Sequence, residues 1–121
     1  MPASLRRRLH TLLTLLAMAC LQPALAGTLA CSGTVNEIVH TATGELRIKP
    51  SWRGEWITLC NTATAWKGIP TDICKLWQAQ ALGAQITQVY TLLQYPSTAA
   101  STCAVMGTLG TADAASALTT Y

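Results

Sequence analysis

Phenylalanine is absent from this 121-residue chain, and it has only two histidines, His10 and His40. Charged residues make up 11% of the chain, against about a quarter in ordinary globular domains. Past residue 26 only His40 remains, so histidine acid–base chemistry would have to run through that one ring. No C-x-x-C pair occurs, which argues against a cysteine metal site. There is no glycine-rich phosphate loop either. The main apolar run, Leu12 to Leu21, falls far short of the roughly 18–20 residues that span a bilayer.

What is present begins with an export signal. Arg6-Arg7-Arg8 forms a basic start, the apolar run follows, Pro23 breaks it, and Ala24-Leu25-Ala26 has the small–x–small pattern of a cleavage site. Residues 1–26 read as a secretory signal peptide cut after Ala26. The formal charge of +3 belongs to that segment, because five basic residues, Arg47, Lys49, Arg53, Lys67 and Lys75, remain against five acids. The net charge beyond Ala26 is zero. No basic patch is left to neutralise phosphates, so a nucleic-acid partner is not expected. Ala17-Met18-Ala19-Cys20 resembles a lipoprotein cleavage box, which gives lipid attachment at Cys20 as the alternative. The destination in the main case is the periplasm or the exterior, with no membrane span after signal removal.

Four cysteines follow the signal: Cys31, Cys60, Cys74 and Cys103. An even number in a short exported chain reads as two disulfides. Three pairings are possible, and spacing alone does not decide among them. A Cys60–Cys74 bridge would staple a helix to a strand across the loop that holds Trp66. Cys31 would then meet Cys103. That nested arrangement is the expected one, and no metal is expected.

The elements follow from periodicity. Thr28 to Thr41 is rich in Val, Ile and Thr and predicts a strand with an irregularity at Gly33. Glu45-Leu46-Arg47-Ile48-Lys49 alternates, with Leu46 and Ile48 on one face. Pro50 ends that strand, and Arg53-Gly54 predicts a turn in which Gly54 takes positive φ. Glu55 to Cys60 alternates again, with Trp56, Thr58 and Cys60 on one face and Ile57 and Leu59 on the other. Thr71 or Asp72 could cap a helix. Its apolar side would carry Ile73, Leu76, Trp77 and Ala84, and Gly83 would end it. Gln85 to Gln94 favours a strand by composition, though 86, 89, 90 and 93 also keep a helical period. Cys103-Ala104-Val105-Met106 predicts a last short strand. The expected division is a signal at 1–26, one disulfide-stapled domain at 27–110 and a flexible Ala/Thr-rich tail at 111–121.

The predicted order is β-β-β-α-β-β, a mainly β fold with one helix. It resembles the small barrel of oligonucleotide/oligosaccharide-binding folds, and a five-stranded antiparallel sheet with one packed helix fits as well. The opening Cys31-Ser32-Gly33-Thr34-Val35 and the three later cysteines are similar to those of uncharacterised small exported proteins of Gram-negative bacteria. That resemblance implies export and disulfides and implies no activity.

The chemistry on offer is thin. His40 sits at a strand end beside a turn, where a histidine is more often a structural group than a base. The serines lack a nucleophile-elbow context. Glu37, Glu45 and Glu55 are scattered, and their spacing does not require any two to converge. The four tryptophans remain. Trp77 is assigned to the core and Trp56 to the face of Cys60. Trp52 and Trp66, with Arg53, are the candidate binding residues, since exposed aromatic faces stack on sugars and anchor proteins. The expected function is a non-catalytic binding module, needing no cofactor, for a glycan or a protein, which could act as a homo-oligomer. The alternatives are a small secreted hydrolase using His40 and a carboxylate, or an exported enzyme inhibitor.

Overall fold

The computed structural model describes residues 27–121; the expected signal peptide, its cleavage site and Cys20 lie outside the described residues. The strands are β1 (Gly27–Gly33), β2 (Val35–His40), β3 (Glu45–Pro50), β4 (Ile57–Asn61), β5 (Thr91–Thr98) and β6 (Ala117–Thr120), with one helix, α1 (Thr71–Thr87), between β4 and β5. They form two three-stranded antiparallel sheets, ordered β1-β5-β6 and β2-β3-β4. The fold is mainly β with one helix and two disulfides, as expected. The single five-stranded sheet and the closed barrel are both corrected.

The split originates at Gly33. The predicted first strand is two strands, β1 in one sheet and β2 in the other. Ser51 wedges the chain at the crossing: its Oγ accepts from Thr34 N–H at 3.0 Å, and its own N–H donates to Thr34 O at 2.9 Å. A Cβ at position 33 would lie 2.3 Å from that Oγ, so only glycine fits. The ladder with β5 ends at Gly33, and the one with β3 begins at Val35.

β3 keeps the predicted alternation, with Leu46, Ile48 and Pro50 buried and Glu45, Arg47 and Lys49 half-buried on the other face. Gly54 closes the following turn at φ 70, its N–H bonded to Pro50 O at 2.9 Å. α1 packs against β2, β3, β4 and β6 and so covers both sheets. Its buried stripe is Cys74, Trp77, Ala81 and Ala84. Ile73 and Leu76 were expected there, but Leu76 is 62% exposed and Ile73 half-buried. The Cys60–Cys74 bridge turns the buried face toward residue 74, which forms one edge of the stripe. Pro70 occupies the N-cap position, and no side chain caps the helix. Asp72 instead accepts from its neighbour, Ile73 N–H, at 2.9 Å.

The helix runs through Gly83 and ends at Gln88, which takes the left-handed conformation at φ 55. An interior glycine costs about 1 kcal/mol, and the burial of Ala81 and Ala84 on either side offsets it. Residues 85–87 are thus helical, and the strand starts only at Thr91.

The last third differs most from expectation. Cys103–Val105 is a short 3₁₀ turn rather than a strand. Cys103 is bonded to Cys31 of β1, with a sequence separation of 72, while Cys60–Cys74 spans 14. Residues 111–121, expected as a flexible tail, complete the first sheet. β6 pairs with β5 from Thr91↔Thr120 to Gln94↔Ala117. Ala112, Ala115 and Leu118 are buried in the same core as Leu93, Tyr95 and Met106. Tyr121 exchanges backbone bonds with Tyr90 at 3.0 and 3.2 Å, and their rings meet edge to face at 6.1 Å. Burial, reinforced by the Asp113 carboxylate, pushes the Tyr95 phenol well up, so it stays protonated.

Candidate functional site

None of the three residues favoured from sequence lines the cleft that holds Trp56. Trp52 is half-buried and packs on the core beside Ser51 and Gly33. Arg53 donates from Nε to Met106 O at 2.9 Å and from Nη1 to Glu55 at 3.3 Å. With its side chain only 18% exposed, Arg53 ties the turn to the 3₁₀ segment. Trp66 is half-buried against the core as well. It begins a two-residue turn, with Lys67 and Gly68 both at positive φ and Trp66 and Ile69 exchanging backbone bonds at 2.9 and 3.1 Å.

That cleft, of about 550 Å³, lies on the outer face of β2-β3-β4. That size falls in the usual range for ligand sites. Its walls are Val39 of β2, Arg47 and Lys49 of β3, the turn residues Gly54, Glu55 and Trp56, and Thr108 and Leu109. Trp56 lies here, half-buried, and does not share the face of Cys60. The reason is a bulge. Cys60 stands opposite Leu46 and Thr58 opposite Arg47, so Leu59 is an extra residue on β4. A bulge reverses the side-chain phase along a strand. Cys60 therefore turns inward with Leu46, while Thr58 turns outward with Arg47. In the structure Ile57, Thr58, Leu59 and Cys60 are all buried, so the alternation read from the sequence is lost here.

Beneath the cleft lies a bonded polar group. Arg47 Nη2 donates to Glu45 Oε2 at 2.7 Å, and the Thr58 hydroxyl donates to Glu45 Oε1. These two bonds, the Arg47 one foremost, hold the Glu45 carboxyl below its ordinary range. Thr58 is 1% exposed, so Glu45→Ala strands a buried hydroxyl and should cost about 1–3 kcal/mol in urea denaturation. The pH dependence has a defined sign. A depressed carboxyl contributes stability that is complete above its unfolded value, about 4.3, and is lost as pH falls through the lower folded value. Wild-type stability should therefore drop more steeply than that of Glu45→Gln below about pH 4.5. Parallel slopes in the two proteins would contradict this.

Leu109 forms the far wall in an unusual state. Its φ of 48 is left-handed, which costs a non-glycine residue about 1–2 kcal/mol. Its N–H donates to Trp56 O at 3.0 Å, and its O accepts from Thr58 N–H at 3.3 Å. Lys67 secures the same loop, donating from Nζ to Gly110 O at 2.8 Å and Ala112 O at 2.6 Å while lying over the Trp66 ring. Leu109 is thereby held 40% exposed, and Val39 across the cleft is 41% exposed.

The residues able to do acid–base chemistry are each bonded to another side chain. His40 receives Gln78 Nε2 at Nδ1 (3.2 Å), and its Nε2 lies 2.7 Å from the Thr62 hydroxyl. These bonds join the end of β2 to α1 and to the loop after β4. Glu37 pairs with Lys49 at 3.5 Å, and Glu55 with Arg53. Among the described residues, no group of three or more His, Cys, Asp or Glu side chains comes together, and no helix is long and apolar enough to cross a membrane. Another groove, of about 470 Å³, lies between α1 and β6, lined by Ile73, Leu76, Trp77 and Leu118 among others. No protein-family model matches the chain, and no curated protein or solved structure matches it.

Proposed function

We propose that this chain is an exported, non-catalytic binding module whose ligand surface is the Trp56 cleft. The observation that carries this is the make-up of the cleft. The Trp56 indole shares the lining with two exposed aliphatic side chains, Val39 and Leu109, and with the ion-paired Arg47 and Lys49. Aromatic residues that combine broad apolar area with a polar handle are the usual anchors of binding surfaces. His40 bonds to Gln78 and Thr62 and Glu45 to Arg47 and Thr58, both in structural roles, while Glu37 and Glu55 form exposed ion pairs with Lys49 and Arg53. Two disulfides suit an oxidising compartment, in keeping with the signal-like residues 1–26.

The ligand class is a glycan or a protein; an exported inhibitor would be the case in which that protein is an enzyme. The test is a glycan array run beside pull-downs with the oxidised protein. Trp56→Ala is expected to weaken binding about 30-fold, the scale of a hot-spot residue. Trp52→Ala and Trp66→Ala should change it little. Binding that survives Trp56→Ala and fails with Trp66→Ala would move the site.

A further inference from the structure

We infer that β6 is a self-association edge: two copies of this chain join their β6 strands antiparallel, about a twofold axis at Thr119, into one continuous sheet. The outer strand of a sheet carries backbone N–H and C=O groups that can pair with another chain, and proteins block most such edges. Two three-stranded sheets have four edges, and three of them are blocked here. Beside β4 lies Leu109, which accepts the Thr58 N–H and donates its own to Trp56 O. Beside β1 lies the 3₁₀ turn, tethered by Cys31–Cys103, with Cys103 Sγ 3.6 Å from Ala30 O. β2 has a bulge between Val35 and Glu37, a charged side chain at Glu37, and α1 bonded to its end through Gln78 and His40. β6 has none of these devices. Its register with β5 is regular, and Ser116-Ala117-Leu118-Thr119-Thr120-Tyr121 holds no charge and no proline.

The open edge is complementary to itself. Tyr90 and Tyr121 exchange both backbone bonds, and the bonded pairs of an antiparallel ladder alternate. Thr119 therefore bonds toward β5, while the N–H and C=O of Leu118 and Thr120 point away from it. Among the described residues, no backbone group outside the sheet bonds to them. Set antiparallel about Thr119, Leu118 of one copy stands opposite Thr120 of the other, and each such pair exchanges both backbone bonds. The exposed Thr119 side chains meet on the axis as a β-branched pair with no charge to repel. Beyond Ala26 five basic residues balance five acids, so no net charge opposes association. The helix adds apolar area. Its flank beside β6 carries Ile73 and Leu76, which line the groove with Ala117 and Leu118, and Leu76 is 62% exposed. A strand added to β6 runs along that groove and takes Leu76 out of water. None of the residues lining the Trp56 cleft belongs to β6 or α1. The pair therefore presents two open clefts, which together hold a ligand with repeated sites more tightly than either alone.

The test is sedimentation velocity of the oxidised protein at concentrations up to about 1 mM, which reaches even weak dimers. Wild type should pass from monomer to dimer across that range. Thr119→Lys sets like charges against each other on the axis and should weaken the dimer at least about tenfold. Thr119→Glu should do the same. Thr119 is exposed, so each variant should melt as the wild-type monomer does. Mixing the two variants should restore a dimer, because opposite charges then meet on the axis. A wild-type monomer at every concentration would overturn the inference. So would a dimer that neither variant weakens, or variants whose mixture stays monomeric. If wild type stays monomeric while an added extended peptide shifts the Leu118 and Thr120 amides in ¹H–¹⁵N spectra, the edge serves a different chain, and the inference fails as well.

Discussion

Replacing Cys31 and Cys103 together by alanine should lower the melting temperature by about 15–30 °C. The bridge closes a separation of 72 residues. Chain-entropy arithmetic assigns a loop of that size about 4 kcal/mol, and a domain of this length shifts by about 4–8 °C per kcal/mol. The geometry adds a reason for a large effect. Cys31 is fully buried on β1, and its partner anchors the 3₁₀ turn that precedes Met106, which is also fully buried. Without the bridge, that turn loses its covalent attachment to the first sheet. Removing Cys60–Cys74, with a separation of 14, should cost about 3 kcal/mol. Calorimetry of the two variants gives the ranking. A fall under about 5 °C for the longer bridge would contradict its place in the fold.

Ending the chain at Gly110 should abolish cooperative unfolding. The lost segment carries β6 and the buried Ala112, Ala115 and Leu118. It also carries Asp113, whose carboxylate receives the Thr98 hydroxyl at 2.5 Å, and one of the two carbonyls that hold Lys67. The graded version is Leu118→Ala. A flexible tail would tolerate it within about 0.5 kcal/mol, whereas a side chain 7% exposed in the core should cost about 2–4 kcal/mol. Urea denaturation separates these outcomes. A truncated chain that still melts cooperatively near the wild-type temperature would show that the last strand is dispensable.

Residue by residue, the legible parts were those in which local chemistry decides. The alternation of Glu45 to Lys49 identified β3 and its faces, because only one register buries Leu46 and Ile48. Gly54 signalled its positive φ. The order of strand, cysteine, loop and helix suggested that Cys60 meets Cys74. The illegible parts were set by long-range contact. Gly33 marked an irregularity, but the wedge that bends the chain there is Ser51, in the turn after β3. Thr111 to Tyr121 has little hydrophobic bulk and looks like a tail, yet Leu118 lands opposite Leu93 and finds its burial there. Small residues such as Ala112 and Ala115 pack closely beneath other elements without any periodic signature.

The candidate site followed the same division. Trp52 and Trp66 were favoured because loops expose side chains, but both are packed on the core in this small domain. Strict alternation ties Trp56 to the face of Cys60, and the bulge at Leu59 breaks that tie. Nothing local in the sequence requires a bulge there. The contribution of Leu109 was still harder to foresee, since it depends on backbone bonds to Trp56 and Thr58, about fifty residues earlier in the chain.

The most direct measurement is a two-dimensional ¹H–¹⁵N NMR titration of the oxidised protein with the selected ligand. The largest shifts should fall on the Trp56 indole N–H and on the amides of Val39, Arg47, Lys49, Thr108 and Leu109, all lining one cleft. Shifts gathered instead at Leu76, Trp77 and Leu118, in the groove between α1 and β6, would contradict the assignment.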